Sequence, residues 1–236
     1  IIKSEQDFTI EGDNIRYGLS GIKGLSDSSL LKIGDFINKK TANKFQVFEA
    51  AKQSKVTIGV VSKIITAGAL NSLGDNRPKL VLEAKIWNEL SDREKAYCLE
   101  NGYKTNYDLI DLLKSYLTWL DGGGKPFKES RLQTIRRDCA KYFEDYARDS
   151  KYSKLSAYLH EKDLLGYSYS YTIKQVFEQD NPRLKNISHI TTLANGANLE
   201  CVAEVIEVKK AVSQKNGKNY IRMTCADESG AFGFML

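Results

Sequence analysis

Apolar residues recur every three or four positions along most of the chain as far as residue 165, which predicts a largely helical region. A short strand is expected before the turn at Gly12, and an apolar start at Ile15 predicts a short first helix. A second helix is predicted from about Asp27 to Lys40, with an apolar face of Leu30, Leu31, Ile33 and Ile37. The next predicted helix covers Phe45 to Lys52 and is buried through Phe45, Val47 and Phe48.

Residues 79–165 continue the helical pattern with more polar positions. Predicted helices cover residues 80–90, 91–100, 107–120 and 130–150. Ser91 is a suitable N-cap, and Glu94 three residues later completes a capping box. The run Asp121–Pro126 contains three glycines and a proline, so it predicts an exposed loop.

Two glycine-containing turns, about 45 residues apart, each separate a pair of predicted helices. The first turn leads into a helix that begins at Ser26 or Asp27, and the second leads into a helix near Arg77 and Pro78. The first amides of a helix lack partners within the helix and lie at the positive end of its dipole, so they attract phosphate oxygens. The pattern therefore predicts a tandem helix–hairpin–helix. The alternative is a pair of plain helical corners, with Gly68 and Gly74 as ordinary helix C-caps.

Each hairpin supplies a predicted set of contacts to the backbone of duplex DNA, which would fix position without reading sequence. In the first hairpin, Gly21 and Gly24 permit a tight turn and the close approach of another backbone. The amides of Gly24, Leu25 and Ser26 are predicted to face a phosphate, and Lys23 adds a mobile charge. The second hairpin offers backbone and polar groups with a lysine nearby: Lys63, Gly68, Ala69 and Asn71.

After about Ala197 the period changes to that of strands. Turns at Lys215–Lys218, which contains Asn216-Gly217, and at Asp227–Gly230 predict a three-stranded meander, part of a five-stranded barrel of the oligonucleotide-binding type. Cations and aromatic residues of this part are candidate contacts to single-stranded DNA: Lys209, Lys210, Lys215, Lys218, Tyr220, Arg222 and Phe232. Phe232 and Phe234 could equally fill the barrel core. The alternating Tyr167, Tyr169 and Tyr171 predict one aromatic face, used for core packing or for base stacking.

Composition narrows the classes of function. A net charge of +5 permits a nucleic-acid partner, and no apolar run reaches the roughly 20 residues of a membrane helix, so no membrane partner is expected. The four cysteines are scattered, which argues against a zinc site and for a reducing, cytoplasmic setting. No D-x-D pair or triphosphate loop occurs, so this segment is expected to contain no catalytic residue, metal site or cofactor. The start at Ile1 suggests a piece of a longer protein.

Four blocks, taken in order, resemble the C-terminal region of the bacterial replicative C-family DNA polymerases, the DNA polymerase III alpha subunits. The blocks are residues 15–24, residues 64–74, the run Glu161–Tyr167, and the β region with Val202-Ala203 and Asp227–Gly230. Ser26 stands where that family usually has a second hairpin glycine, which is expected to impair one phosphate-facing amide. Residues 171–173 also depart from the family pattern, residues 95–155 look like an insertion, and no sliding-clamp peptide is found. A divergent, phage-encoded homologue would fit these departures.

The resemblance implies an α+β fold in three parts. A tandem helix–hairpin–helix domain covers residues 1–90, a helical insertion or connector covers 91–165, and a truncated oligonucleotide-binding β-domain covers 166–236. It implies a DNA-directed DNA polymerase whose Mg²⁺-dependent active site precedes Ile1, with duplex DNA, single-stranded DNA and a sliding clamp or other replisome protein as partners. Two alternatives stay open: a free-standing repair or recombination DNA-binding protein, and a protein-interaction scaffold of a replisome.

Overall fold

The computed structural model describes residues 5–73, 76–118, 129–215 and 217–236. Within these ranges helices fill the N-terminal and middle parts, and an antiparallel sheet follows, as the α+β prediction requires. The helices are α1 Asp27–Ile37, α2 Lys44–Gln53, α3 Ile58–Thr66, α4 Arg77–Glu89, α5 Asp92–Asn101, α6 Leu109–Thr118, α7 Glu129–Asp138, α8 Ala140–Lys151, α9 Ser153–Leu165 and α10 Ile173–Phe177. The strands are β1 Thr9–Glu11, β2 Asn14–Arg16, β3 Glu204–Val212, β4 Asn219–Asp227 and β5 Gly230–Met235, and 3-10 helices occupy Leu19–Gly21, Asn71–Leu73, Gly102–Thr105 and Ile187–Thr192.

The predicted helix at Ile15 is wrong. Ile15 lies in β2, which pairs with β1 around the turn at Gly12, and a 3-10 helix follows at Leu19–Gly21. The amide of Leu19 donates to the carbonyl of Glu5, 3.0 Å away, instead of to a preceding helical turn. Ile15 is exposed and β-branched, and its backbone is paired with the neighbouring strand. The spacing of apolar residues in the sequence does not show that this partner strand exists.

Helices α1 and α2 form close to the predicted bounds. Their N-caps are Ser26 and Asn43, whose side chains accept from the amides of the third helical residues. The predicted apolar face of α1 is wrong at Leu31, which is 74% exposed, and Phe36 is buried on that helix instead.

One hydrophobic core runs from Leu19 to Leu164 and includes residues of all helices from α1 to α7. Its centre contains Trp87 of α4, whose ring centroid lies 5.2 Å from that of Phe45 on α2. The fully buried Glu83 of α4 pairs with Lys44 at 2.7 Å and accepts from the amide of Leu109 at 2.9 Å. The middle helices therefore pack directly onto the N-terminal hairpin region.

The capping box predicted for Ser91 and Glu94 is confirmed at the start of α5. The single helix predicted over residues 130–150 is divided into α7 and α8 at Cys139, whose backbone (φ −96°, ψ 5°) leaves helical geometry. Cys139 is fully buried at this break. The loop predicted at Asp121–Pro126 lies outside the described residues.

Strands β3, β4 and β5 form the predicted antiparallel meander in that order, with a bulge between Val205 and Glu207. The sheet is compatible with a partial barrel. The turn residue Asn216 lies outside the described residues, and Gly217 has the positive φ of +68° that a tight turn requires.

The turn between β4 and β5 anchors the sheet to the helical part. Asp227 accepts from the amide of Ile187 and Glu228 from the amide of Ile173, both at 2.7 Å. The two carboxylates thus cap the start of the last 3-10 helix and of α10. Burial would raise the pKa of Asp227, but hydrogen bonds from Ser229 and Ile187 outweigh it and lower that pKa.

Candidate nucleic-acid interface

The first hairpin, residues 22–26, exposes two backbone amides. Gly24 has φ +74°, which reverses the chain before α1, and Ser26 begins the helix as its N-cap. Among the described residues the amides of Gly24 and Ser26 have no acceptor, whereas the amide of Leu25 donates to Ile22 at 3.3 Å. Of the three predicted phosphate-facing amides, two are therefore available and that of Leu25 is not.

Ser26 causes no strain in the hairpin. Its backbone (φ −87°, ψ 159°) is extended, a conformation that any residue adopts, and its hydroxyl accepts from the amide of Ser29 at 3.3 Å. The expected cost of replacing a glycine here is therefore wrong. Asp27, the first residue of α1, is exposed and places a negative charge beside the two amides.

The two predicted lysines differ in their surroundings. The Lys23 side chain is exposed and has no ion-pair partner within the described ranges, while its amide donates to Leu164 at 2.8 Å. The ammonium of Lys63 on α3 instead donates to the carbonyl of Gly24 at 2.9 Å. Lys23 is thus an exposed cation at the first hairpin, and Lys63 is a link between α3 and that hairpin.

Gly21 serves packing rather than the turn itself. A Cβ on Gly21 would lie 2.7 Å from the ring of Tyr17, and the Tyr17 hydroxyl oxygen lies 3.0 Å from the carbonyl oxygens of Gly21 and Leu165. The close approach predicted for Gly21 therefore comes from a side chain inside the protein.

The second hairpin differs from its prediction. Gly68, at φ +85°, ends α3: its amide donates to Ile65 at 2.9 Å, and the amide of Ala69 donates to Ile64 at 3.1 Å. This pair of bonds is a Schellman C-cap, the alternative left open by the sequence. The amide of Asn71 donates to Gly68 at 3.2 Å. All three amides predicted to face a phosphate are thus used within the turn. The position of Gly74 lies outside the described residues.

A buried ion pair covers this second hairpin. Arg77 contacts Glu161 of α9 at 2.5 Å, and its remaining donors reach the side chains of Asn71, Tyr169 and Ser170 at 2.9–3.1 Å. Glu161 is fully buried. Burial would raise its pKa, but hydrogen bonds from Ser170 and the pairing with Arg77 outweigh this, so the pKa of Glu161 is lowered.

The Arg77–Glu161 pair is not apparent from the sequence, because its members are 84 residues apart. The tyrosine side chains that follow α9 also separate. Tyr167 lies near Tyr17, Tyr169 near Arg77 and Tyr171 near Lys154, so the predicted single aromatic face is wrong. The segment is irregular rather than extended.

The cations predicted to bind single strands do not share one face of the sheet. Lys209 lies opposite Arg222 in the register, and Tyr220 is on the same face, since positions two apart on a strand share a side. Lys210 lies opposite Ile221, on the other face, which also carries Phe232 opposite the buried Cys225. Lys215 and Lys218 belong to the exposed end of the β3–β4 hairpin. The predicted cluster is therefore divided, and Phe232, which is 38% exposed, lies on the face that carries the buried Cys225.

Within the described ranges, no three histidine, cysteine or acidic side chains are close enough together to hold a metal ion. In the same part of the chain, no helix has the length and apolar character needed to cross a membrane.

Comparison with known proteins agrees with the N-terminal geometry. A family model described as the helix-hairpin-helix motif matches residues 1–80, the part that holds both hairpins. No curated protein matches the chain. Residues 1–80 thus contain a helix-hairpin-helix motif, which indicates nucleic-acid binding and supports a DNA-binding domain in this part of the chain.

Proposed function

We propose that the chain binds the backbone of double-stranded DNA through its first hairpin, as a segment of a replicative polymerase of the C family. The observation that carries this proposal is that the amides of Gly24 and Ser26, which have no acceptor within the described ranges, lie at the start of α1 next in sequence to the exposed Lys23. Backbone amides at a helix N-terminus bind phosphate oxygens, and a nearby lysine adds attraction that depends on salt.

The second motif has a supporting role in this proposal. Its hairpin amides are used in the C-cap at Gly68, and Tyr169 and Arg77 lie against that glycine. Lys63, however, holds the Gly24 carbonyl. The second motif therefore fixes the shape of the first hairpin, which alone contacts the phosphate.

The polymerase assignment rests on the four blocks of resemblance and on their order along the chain. The helix-hairpin-helix match supports the first two blocks, since both lie within residues 1–80. In this assignment nucleotidyl transfer and its Mg²⁺ belong to a part of the protein outside this sequence, and this segment contributes a grip on the emerging duplex.

A second contact, to single-stranded DNA, is proposed for the outer face of the sheet. Lys209, Arg222 and Tyr220 share this face, and Lys215 and Lys218 extend it at the hairpin end. Cations that follow a strand, together with an aromatic ring, are the usual elements of single-strand binding. Lys210 and Phe232 are excluded from this surface by their opposite orientation.

The test is fluorescence anisotropy with a labelled blunt duplex of two unrelated sequences, measured across a salt series. With Lys23 supplying the charged contact to the phosphate, the slope of log affinity against log salt should be roughly −1, with the same affinity for both sequences. Lys23→Glu should abolish this binding. Weak binding to every DNA, insensitive to salt, would contradict the proposal and favour a protein-interaction scaffold.

A further inference from the structure

A cleft of about 470 Å³ lies beside the second hairpin, between α3 and α4 on one side and α8 and α9 on the other. Asn71 and Arg77 line its hairpin end, and Tyr171 of the segment after α9 closes part of it. This cleft is separate from the exposed amides of the first hairpin. Its volume falls within the range of about 300–1,000 Å³ that is usual for sites of small organic groups.

Aromatic rings are the first feature of the cleft. Tyr142 and Tyr146 of α8 line it together with Tyr171. Lys85 of α4 places its ammonium 4.8 Å from the centroid of the Tyr142 ring. A planar group entering the cleft thus lies beside aromatic rings, the groups on which proteins stack bases without regard to sequence.

Balanced charge is the second feature. Arg148 pairs with Asp145 at 3.2 Å and with Asp149 at 3.0 Å, and Nε2 of His160 lies 3.6 Å from Asp149. The cleft therefore offers hydrogen-bond donors and acceptors side by side, as the edge of a nucleobase requires. A bare phosphate or a cation would match only half of these groups.

An unpartnered hydroxyl is the third feature. Ser62 of α3 lines the cleft, and its Oγ has no hydrogen-bond partner in the described part of the chain, although the atom is shielded from solvent. A buried polar atom without a partner is costly, so the wall of the cleft holds a hydrogen-bonding group that nothing in the described part of the chain satisfies.

We propose that this cleft receives one unpaired nucleotide of a DNA strand that leaves the duplex beside the second hairpin. The base would stack on the tyrosines and satisfy polar groups of the cleft, while the duplex stays on the first hairpin. The inference rests on the proposed function, because duplex binding brings the strand to the cleft.

The experiment compares a blunt duplex with the same duplex carrying a two-nucleotide overhang, labelled with 2-aminopurine at the unpaired position. The test variant is Ala157→Trp, which fills the cleft from α9. The matched control is Ala147→Trp on α8, an exposed position that does not line the cleft. Circular dichroism and thermal unfolding verify that both variants fold, and Tyr146→Ala gives a second test that removes a ring without filling the space.

The expected result is an overhang duplex that binds about tenfold more tightly than the blunt duplex, the effect of stacking roughly one base. Ala157→Trp and Tyr146→Ala should remove this preference and the 2-aminopurine change, and leave blunt-duplex affinity as it was. Equal affinity for both duplexes, or a preference unaffected by Ala157→Trp, would overturn the inference. Displacement of the overhang signal by free deoxyadenosine monophosphate, with no preference between duplexes, would assign the cleft to a free nucleotide instead. Failure of both duplexes to bind would contradict the proposed function itself.

Discussion

The ammonium of Lys63 on α3 donates to the carbonyl oxygen of Gly24 at 2.9 Å, and so joins α3 to the first hairpin across 39 residues of sequence. The bond is made at the residue whose positive φ shapes the first hairpin. Lys63 is half-buried and directed toward protein, whereas Lys23 is exposed. In the proposed function the two lysines near the hairpin therefore have different tasks: Lys63 positions the backbone and Lys23 attracts DNA.

The first prediction separates these tasks by salt dependence. Lys23→Met should weaken duplex binding and make the log–log salt slope less steep by about 1, because one phosphate contact with its released counterion is lost. Lys63→Met should also weaken binding, since the Gly24 carbonyl and with it the hairpin backbone are no longer held, but the slope should stay unchanged. Anisotropy across salt concentrations measures both quantities. Equal loss of slope in the two variants would show that Lys63 also acts as a phosphate ligand.

The second prediction concerns the stability of the hairpin. Gly24→Ala should lower the free energy of unfolding by about 1–2 kcal/mol, because a side chain disfavours the left-handed conformation at φ +74°. The new Cβ would also displace the Lys63 ammonium. Urea denaturation measures the change.

Gly34 provides the matched control for this substitution. It lies in α1 with open space around its position, so Gly34→Ala should stabilise the protein by about 0.5–1 kcal/mol. A Gly24→Ala variant as stable as the parent would contradict the positive φ assigned to this turn.

The third prediction is a gain of affinity. Asp27 lies in the first turn of α1, beside the N-cap Ser26, and in the proposed function it would repel a phosphate bound there. Asp27→Asn should raise duplex affinity roughly fivefold, on the order of 1 kcal/mol for removing one nearby charge at a solvated site. The same change should cost about 0.5 kcal/mol of stability, because an acidic residue in the first turn favours the helix dipole.

Asp35 is the control for that charge effect. It is exposed on the same helix, about 12 Å further along the axis, a distance greater than the screening length at physiological salt. Asp35→Asn should leave duplex affinity unchanged. An equal gain from both substitutions would indicate a general effect of net charge and not a phosphate site at the hairpin.

The fourth prediction uses the buried pair of Arg77 and Glu161. The pKa of Glu161 is lower in the folded protein than in the unfolded chain, so its contribution to stability is present above the unfolded value of about 4.3 and disappears as the pH falls through the folded value. Glu161→Gln should cost about 3 kcal/mol at pH 7 by leaving Arg77 without its partner, and this difference should shrink below about pH 4. Urea denaturation at pH 7 and pH 3.5 measures this difference in the free energy of unfolding.

Glu144→Gln, at an exposed position of α8, is the control and should show no difference in stability at either pH. A cost for Glu161→Gln that is the same at both pH values would contradict the assigned ion pair.

The sequence predicts those parts of the fold that depend on local signals. The N-cap of α1 at Ser26, the capping box at Ser91 and the turn at Gly217 each lie within a few residues of the element they define. The strand at Ile15 was not predicted, because pairing with β1 and not the spacing of its apolar residues determines its conformation. The division of Lys209 and Lys210 between two faces of the sheet could have been predicted from strand alternation alone.

The sequence predicts only part of the candidate site, because it does not show tertiary contacts of the hairpins. Glycine spacing locates both hairpins, yet it does not show which amides are already used. The amides of Gly68 and Ala69 are used because α3 ends there, and Gly68 is covered by Arg77 and Tyr169. These contacts depend on α9 and the segment after it, which are distant in sequence, so tertiary packing and not local pattern distinguishes the two hairpins.

The most direct test of the central claim is an amide chemical-shift titration with a blunt duplex, followed residue by residue by NMR. The free amides of Gly24 and Ser26 should shift most and saturate at the affinity found by anisotropy, while the internally bonded amides of Gly68 and Ala69 should hardly move. Large shifts at Gly68 and Ala69 with none at Gly24 and Ser26 would contradict the account, because the second hairpin would then hold the DNA.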